Sequence, residues 1–312
     1  VYNVRVCFGI YRTDNMNESL SFMCDKASFA VASIKDDTHS FIAYYDDTML
    51  EAAIKYKTIV DEFDDAIKAG EFKMYLQPQI SAKTRRLTGA EALVRRIKPD
   101  GTIISPIDFI PVYEKSGLIS RLDRYIWEQA AAKLGEWKKA GINMSISVNI
   151  SPKDFYYIDI FNTFAGLIKK YDIEPSNLKI EITETTIMSD VPNLMGELEE
   201  LRKAGFTLEM DDFGSGYSSL NTLKDINVDV LKVDMGFIKE TKNVKKSRII
   251  LASVIKMAKE LNLLIITEGV ETEEQVDNLT KLGCDVFQGY YFSKAIDVNE
   301  FEKRYLYRKK AG

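Results

Sequence analysis

Charged and amide side chains recur inside, or just after, the short apolar segments of this chain. Each of these residues falls in a different segment: Glu91, Asn149, Glu181, Asp211, Lys232, Glu268 and Gln288. A charge inside a strand-like segment is costly unless it is paired or binds a metal ion. A series of such residues on successive strands therefore indicates one shared site. Parallel barrels form active sites in this way, because each strand delivers a side chain to the same mouth.

Carboxylates gathered at one mouth need a counter-charge. Four members of the series are carboxylates: Glu91, Glu181, Asp211 and Glu268. Unit charges about 4 Å apart repel by roughly 4 kcal/mol at an effective dielectric constant of about 20, so such a cluster takes up protons or binds cations. Asn149 would add a neutral oxygen ligand, and Asp212 could help to hold a second ion. Two divalent ions roughly 3.5–4 Å apart, which polarise a phosphate and generate hydroxide from water, are a standard solution for phosphodiester cleavage.

The side chains next to these carboxylates suit an anionic substrate. Lys232 could orient the attacking water or stabilise the charge that develops on the phosphate. Strand alternation places Glu91, Leu93 and Arg95 on one face, where the guanidinium could bind an anion. The alternative for this strand is a salt bridge that lines the barrel and does no chemistry.

The segment DDFGSGYSSL, residues 211–220, combines adjacent aspartates with closely spaced glycines. Gly214 and Gly216 allow unusual backbone angles in a tight loop at a strand end, where functional residues are common. The alternative is a simple turn before a helix that Ser218 or Ser219 caps.

Composition narrows the class of protein. The chain has 312 residues, of which 46% are hydrophobic and 29% charged, as expected for a soluble globular protein with one barrel-sized domain and a smaller appendage. No apolar segment approaches the roughly 20 residues that span a bilayer, so no membrane contact is expected within this segment. The net charge of −5 argues against a long nucleic acid as partner.

Histidine and cysteine usage restricts the metal chemistry. The single histidine, His39, excludes histidine-rich zinc or iron sites and a Ser-His-Asp triad in the main domain. A metal ion here must accept oxygen ligands, which indicates magnesium, manganese or calcium. Cys7, Cys24 and Cys284 lack metal or disulfide spacing and are expected to be reduced thiols in the cytosol.

Strand-like and helical segments alternate from Lys73 onward, which predicts a parallel α/β sheet. With residues 73–80 included there are eight strand candidates, which favour a (β/α)₈ barrel over an open sheet. Only residues 81–87 join the first two, whereas a parallel crossover needs about a dozen residues. We therefore predict a modified TIM barrel with one antiparallel strand. The clearest predicted helices cover residues 121–140, 153–171, 191–204, 244–261 and 272–282.

Residues 1–50 form a separate small α+β fragment, with two strands and a helix near residues 18–35. This fragment buries too little to stand alone and is expected to be the end of a larger domain. Residues 51–72 are predicted to form a connecting helix, and residues 73–312 the barrel. The chain opens on Val1 rather than Met, so we expect a piece of a longer protein.

The ordered motifs of the barrel resemble those of EAL-domain cyclic-di-GMP phosphodiesterases. The signature is Glu91-Ala92-Leu93 followed by Arg95, and a lone tripeptide of this kind would carry no weight. The set that follows is spread over about 240 residues and is highly specific. Its further members are Gln77-Pro78, Phe109–Pro111 with Glu114, Gly117–Ile119, Val148–Ser151, Glu181–Glu184, Asp211–Tyr217, Lys232–Asp234, Glu268–Glu271 and Gln288–Tyr290.

The resemblance implies a hydrolase, a cyclic-guanylate-specific phosphodiesterase, that opens cyclic-di-GMP to linear pGpG with two Mg²⁺ or Mn²⁺ ions, and Ca²⁺ is expected to inhibit it. It also implies a role for each matching residue. The first metal would be bound by Glu91, Asn149, Glu181 and Asp211, and the second by Asp211 and Asp212. The attacking water would be handled by Glu268, as general base, and Lys232. The loop would be held by Glu184. The substrate would be contacted by Gln77, Leu93, Arg95 and Gln288.

The resemblance further implies a homodimer, because family members couple dimerisation to activity through the DDFGSGY loop. A cytoplasmic location is expected, either for a separate protein or for the cytoplasmic part of a larger membrane-anchored protein. Residues 1–50 resemble, weakly, the closing part of a GGDEF diguanylate cyclase domain without its glycine-rich loop, so no cyclase activity is expected. Arg96 and Ala295 depart from the family pattern, where an aromatic residue and a proline are common.

The alternatives keep the fold and change the activity. One is an EAL domain that binds cyclic-di-GMP without cleaving it or that serves as a protein-interaction module. Such relatives usually lose a metal ligand or the ordered DDFG loop, whereas every expected position is filled here. The other is an unrelated metal-dependent barrel, such as an enolising enzyme with Lys232 as base. It explains the carboxylates but not Gln77, Arg95 and the GSGY loop together.

Overall fold

The computed structural model describes residues 6–13, 17–35, 40–189, 191–214, 223–224, 226–235 and 244–307. His39, the loop from Ser215 to Tyr217 and the predicted helix caps Ser218 and Ser219 lie outside these residues. The chain divides into two compact units, Val1–Ala69 and Gly70–Gly312. None of the helices formed by the described residues combines the length and the apolar character that a membrane span requires.

The first unit contains a small parallel sheet and helices. Its elements are β1 (Phe8–Ile10), α1 (Leu20–Ser33), β2 (Ile42–Tyr44), α2 (Asp47–Asp61) and α3 (Phe63–Lys68). The two strands pair in parallel, and α1 packs closely on one face, where a Cβ at Gly9 would lie 2.0 Å from the carbonyl oxygen of Ala27. The segment predicted as one connecting helix is two helices that meet at Glu62. The role of residues 51–72 as a connection between domains stays a prediction. The assignment of residues 1–50 to a GGDEF-like fragment also stays a prediction.

The second unit contains an eight-stranded closed barrel and two short extra strands. In chain order the strands are β3 (Phe72–Ser81), β4 (Leu87–Ile97), β5 (Ile103–Ile104), β6 (Ile146–Ile150), β7 (Leu178–Thr183), β8 (Leu208–Phe213), β9 (Val230–Asp234), β10 (Leu264–Glu268), β11 (Val286–Phe287) and β12 (Ile296–Asp297). The short strands β5 and β12 lie outside the closed ring, which runs β3-β11-β10-β9-β8-β7-β6-β4 and returns to β3.

One strand of the ring runs against the others. β3 pairs antiparallel with both β4 and β11, while the remaining neighbours in the ring are parallel. The short connection between β3 and β4 leaves no room for a crossover helix, so it closes a hairpin. The predicted modified TIM barrel with one antiparallel strand is confirmed.

Helices follow the strands and cover the ring. They are α4 (Pro106–Ser116), α5 (Ile119–Lys139), α6 (Asp154–Tyr157), α7 (Ile160–Tyr171), α8 (Glu184–Ile187), α9 (Leu194–Lys203), α10 (Val244–Glu260), α11 (Glu273–Leu282) and α12 (Val298–Phe301). The segment 153–171, predicted as one helix, is broken between α6 and α7. Ile158 is extended there, and the side chain of Asp159 accepts a hydrogen bond from the backbone N–H of Asn162, which caps a new helix.

Alternation along each strand separates the two sides of the ring. On β7, Leu178, Ile180 and Ile182 are fully buried, and Glu181 projects to the opposite side. Glu181 meets Lys232 of β9, which is not a neighbour of β7 in the ring, so this side is the barrel interior. The strands thus place apolar side chains under the helices and send the polar side chains of the site to the barrel interior.

Candidate active site

The Lys232 ammonium lies at the centre of the predicted carboxylate cluster. Its Nζ atom is 2.8 Å from Glu268 Oε1, 3.0 Å from Glu181 Oε1, 3.2 Å from Asp211 Oδ1 and 3.4 Å from Glu91 Oε2. These four carboxylates come from β4, β7, β8 and β10, and the lysine comes from β9. Barrel closure therefore gathers, around one cation, residues that are far apart in the chain.

Burial and charge repulsion shape the ionisation of this cluster. Lys232 and Glu181 are completely buried. Burial, followed by the charge of Glu91, raises the pKa of Glu181 well above its usual value. Burial also raises the pKa of Glu268 to about 8, although the Lys232 charge opposes that shift. Burial disfavours the lysine ammonium, yet the carboxylates, Asp211 and Glu181 first, hold the pKa of Lys232 well above its usual value.

Amide side chains form the border of the cluster on the side of β3 and β11. Gln288 donates hydrogen bonds from Nε2 to Glu91 Oε2 and, over 3.3 Å, to Gln77 Oε1. Gln79 Nε2 donates in turn to Gln288 Oε1 at 3.2 Å. Asn149 Nδ2 lies 3.4 Å from Glu91 Oε1, and so places its side-chain amide beside the same carboxylate. Glu91 therefore accepts from Asn149 on Oε1, while its Oε2 atom accepts from Gln288 and also faces the Lys232 ammonium.

Asp212 and Glu184 lie next to the cluster along the chain. The register between β8 and β9 shifts between Met210 and Phe213, and Asp212 has a positive φ of 56°. This bulge interrupts the alternation that would send Asp212 to the face opposite Asp211. Glu184 begins α8 immediately after β7 and is buried, with Thr183 capping the helix through a hydrogen bond from the Thr186 N–H.

The donor set fits hard divalent cations. Carboxylate and amide oxygens, with no histidine or thiolate among them, are the ligands that Mg²⁺ and Mn²⁺ accept. Among the described residues no three acidic side chains already converge as ligands of one metal ion. The Lys232 ammonium lies between the four carboxylates, within 3.4 Å of an oxygen of each. The oxygens that a cation would need already point toward one positive charge.

Two cavities open at the barrel mouth and have Leu93 in common. One, of about 550 Å³, has mainly apolar walls that include Trp127, and Arg95 and Asn149 also line it. Its wall also contains the Asp123 carboxyl, whose pKa burial and the neighbouring Asp154 raise well above the usual value. The other cavity, of about 430 Å³, is lined by Gln77, Glu91, Glu268, Gln288 and Tyr290, among others. Two carboxylates of the cluster, Glu91 and Glu268, line this second cavity, and Asn149, which donates to Glu91, lines the first.

The sequence patterns did not reveal two further charged residues inside the barrel, Lys179 and Glu209, which precede cluster residues on β7 and β8 and so lie below the cluster. Glu209 is completely buried, and its Oε1 atom lies 2.9 Å from Lys179 Nζ. Lys179 precedes Glu181 by two positions on β7, and Glu209 precedes Asp211 by two positions on β8. Because side chains alternate along a strand, this spacing would have placed Lys179 and Glu209 on the interior face. Asp123 and Gln79 were also missed, because nothing in their local sequence distinguishes them from ordinary helix and strand residues.

Comparisons with known proteins agree on one family. The family model described as EAL domain matches residues 60–295. The chain is 36% identical over 252 residues to the probable cyclic di-GMP phosphodiesterase PdeG of Escherichia coli, covering 78% of this chain and 48% of that protein. It is 34% identical over 278 residues to the signaling protein YkoW of Bacillus subtilis, covering 89% of this chain and 35% of that protein.

A solved structure shows the same fold. It is described as the PaMucR phosphodiesterase in complex with c-di-GMP, with 32% identity and a TM-score of 0.73, and the match covers 78% of this chain and 99% of that one. The chain itself spans roughly a third to a half of the length of the curated relatives it matches, from 35% of YkoW to 48% of PdeG.

Proposed function

The chain belongs to the EAL-domain family, and on that premise we propose that its barrel hydrolyses cyclic-di-GMP to linear pGpG with two divalent cations, Mg²⁺ or Mn²⁺. The observation that carries the proposal is the set of four carboxylates around one buried ammonium at the barrel mouth. Burying such a set of carboxylates costs free energy unless protons or cations neutralise them. Bound cations would replace the protons and stabilise the ionised carboxylates. Relatives named as cyclic di-GMP phosphodiesterases support the same substrate.

The cluster would hold the cations through its own oxygens. We assign Glu91, Asn149, Glu181 and Asp211 to the first cation, and Asp211 with Asp212 to the second. Two divalent cations, when bound, would polarise the phosphodiester and lower the pKa of a water molecule. Since Asp211 precedes a bulge at the end of β8, it is well placed to serve both positions.

Glu268 would accept the proton of the attacking water. It is the carboxylate nearest to the Lys232 ammonium, at 2.8 Å, and burial raises its pKa to about 8 in the cation-free chain. A base whose pKa lies near the working pH combines a useful ionised fraction with a strong tendency to take the proton. Lys232 would hold Glu268 in place and support the negative charge that develops on the phosphorus centre.

The bond changes follow from the product. The water oxygen forms a new bond to phosphorus, its proton passes to Glu268, and the bond from phosphorus to the ribose O3′ breaks, because pGpG keeps a 5′-phosphate. The O3′ atom leaves with the electron pair of that bond and takes up a proton from solvent to become a hydroxyl, while Glu268 releases its proton to solvent. The balance requires one water molecule and no other co-reactant.

The two cavities provide room for the two halves of a cyclic dinucleotide. Each has the volume of a small-ligand pocket. The larger combines apolar walls with the Asp123 carboxyl, a group that suits the N–H edge of a guanine. We assign Leu93, which lines both cavities, together with Arg95, Gln77 and Gln288, to substrate contacts, so that the scissile phosphate lies over the carboxylates.

Three further parts of the proposal rest on family resemblance. Glu184 would hold the loop that follows Asp212 in its working position, and the chain would act as a homodimer through that loop, most of which lies outside the described residues. A cytoplasmic location stays a prediction.

The test is hydrolysis by the purified chain. Cyclic-di-GMP is incubated with the protein and Mg²⁺ or Mn²⁺, with EDTA or Ca²⁺ in parallel, and the products are separated by chromatography. Cation-dependent formation of pGpG is the expected result. Binding of cyclic-di-GMP without cleavage under either cation would replace the enzyme by a receptor. Absence of both binding and cleavage would overturn the whole proposal.

A further inference from the structure

A buried ion pair lies directly below the carboxylate cluster. Lys179 Nζ is 2.9 Å from Glu209 Oε1, with 16% of the lysine side chain and none of the glutamate side chain exposed. The two residues come from adjacent strands, β7 and β8, and both lie two positions before a residue of the cluster. The pair is therefore built into the same interior face as the proposed cation ligands.

Glu209 is the direct neighbour of Glu181. The two residues are register partners on β7 and β8, and both side chains are completely buried. Glu181 meets the Lys232 ammonium at 3.0 Å on the side of the mouth. Glu181 is thus bounded by Glu209 below and by the cluster above. Glu209 Oε2 has no hydrogen-bond partner within the part of the chain that the structure describes.

A contribution to the free energy of unfolding does not explain why an ion pair is buried at this place. Two charges taken out of water lose about as much in solvation as they regain from each other, and apolar residues of similar volume are often equally good. An apolar alternative exists in the same barrel, because Val230, Ile266 and Val286, each two positions before Lys232, Glu268 or Gln288, pack together. On the β7–β8 side the sequence instead places an acid and a base.

The geometry gives the pair a specific task. Lys179 anchors Glu209 from below, which keeps Glu209 from turning up into the cluster as a further carboxylate. Glu209 in turn occupies Lys179, which keeps that ammonium from binding Glu181. Both effects leave the Glu181 carboxylate facing the Lys232 ammonium, 3.0 Å from Oε1.

We propose that Lys179 and Glu209 form a positioning pair that holds Glu181 ready to bind a divalent cation. The inference rests on the proposed function, because Glu181 is a cation ligand only there. It adds two residues that act through Glu181 and do not touch the substrate.

Mn²⁺ binding to the cation-free chain tests the pair without any turnover. Free Mn²⁺ is counted by electron paramagnetic resonance during titration of the unaltered chain, Glu209→Gln, Lys179→Met and Lys179→Arg. Loss of a group that orients a metal ligand typically costs 10- to 100-fold in affinity. We therefore expect at least about a 10-fold weaker affinity for Glu209→Gln and Lys179→Met, and a change of less than about 3-fold for Lys179→Arg, which keeps the ion pair.

A matched control lies outside the barrel interior. Glu302 pairs with Lys133 at 3.3 Å and is similarly enclosed, with 18% of its side chain exposed. Glu302→Gln should lower the melting temperature in EDTA by no more than the barrel variants do and should leave Mn²⁺ affinity unchanged. Variants that fold less well are compared only after their near-ultraviolet circular dichroism shows a native fold. Lys179→Gln or Glu209→Met, for which the same loss of Mn²⁺ affinity is expected, replaces a variant that fails this check.

The outcomes separate this inference from the proposed function. If Glu209→Gln and Lys179→Met melt at lower temperature but bind Mn²⁺ as tightly as the unaltered chain, the pair is only structural and the inference is wrong, while the proposed function stands. The inference is equally wrong if Lys179→Arg weakens Mn²⁺ binding as much as Lys179→Met does. If the unaltered chain binds no Mn²⁺, both the proposed function and the role of the positioning pair are wrong.

Discussion

Replacing Lys232 by methionine should make the cation-free barrel unstable and the reaction slow. The Lys232→Met variant keeps most of the side-chain volume and removes the charge at the centre of four carboxylates. The ammonium is 2.8–3.4 Å from their oxygens, and no part of it is exposed. Without it, the carboxylates repel one another until they take up protons or bind cations.

The size of the effect follows from those distances. At about 3 Å and an effective dielectric constant of about 20, each ionised carboxylate attracts the ammonium by roughly 5 kcal/mol. The net loss is smaller, because the ammonium no longer has to be desolvated and the carboxylates recover protons. Breaking a buried pair costs about 3–5 kcal/mol. For a domain of this size about 1 kcal/mol corresponds to about 2–4 °C, so the melting temperature in EDTA should fall by about 6–20 °C.

Thermal melting with and without cation is the assay. Mn²⁺ should raise the melting temperature of Lys232→Met more than that of the unaltered chain, because the cation then fills the place of the ammonium; binding at 100 times Kd supplies about 2.7 kcal/mol. The control is Lys256→Met, which removes an exposed lysine 3.9 Å from Glu260 and should change stability by less than about 1 kcal/mol. The kcat of Lys232→Met should fall by about 10²–10³-fold.

Two results would refute this reasoning. If Lys232→Met melts in EDTA within about 2 °C of Lys256→Met, the ammonium does not neutralise the cluster. If kcat stays within about 3-fold and only KM changes, Lys232 is a binding residue and takes no part in the chemistry.

Three other predictions concern the same mouth. Glu91→Gln should lower kcat by about 10³-fold or more and weaken Mn²⁺ binding, because it removes a ligand charge that amides already hold in place; a normal rate with Mg²⁺ would contradict the assignment. The pKa of Glu268 is raised from 4.5 to about 8 in the fold, so its contribution to cation-free stability is complete below pH 4.5 and is lost as the pH rises through 8. Cation binding favours its ionised form, so Mn²⁺ affinity should rise with pH up to about 8 and then level off, and a flat profile from pH 6 to 8.5 in a Mn²⁺ titration would argue against the shift. Arg95→Met should raise KM for cyclic-di-GMP by about 10- to 100-fold with kcat within about 3-fold, because a half-buried guanidinium that lines the larger cavity binds the anion without touching the reacting bond; steady-state kinetics on pGpG formation decides, and a fall in kcat alone would refute it.

Much of the architecture was readable from local rules. The short connection after Ser81 forces a hairpin, since no crossover fits, and this alone predicted the reversed strand. The predicted positions of helix ends were less accurate where a side chain forms a hydrogen bond with the backbone. Asp159 caps a new helix inside a segment whose apolar spacing indicated a single one, and such a cap competes with helix continuation through one hydrogen bond that periodicity does not register.

The sequence by itself determined the donor set and the face on which it lies. With one histidine in 312 residues, a metal site of this chain must use oxygen ligands, and the period of two sends Glu181 and Asp211 to the same side of their strands as Lys179 and Glu209. Only the tertiary structure decided what these residues touch. Barrel closure through β3 joins β4, early in the chain, to β11, near its end. The closed ring makes Lys232 the common partner of the carboxylates. Contacts across the interior depend on ring closure and strand register, and neither is encoded within any single segment of the chain.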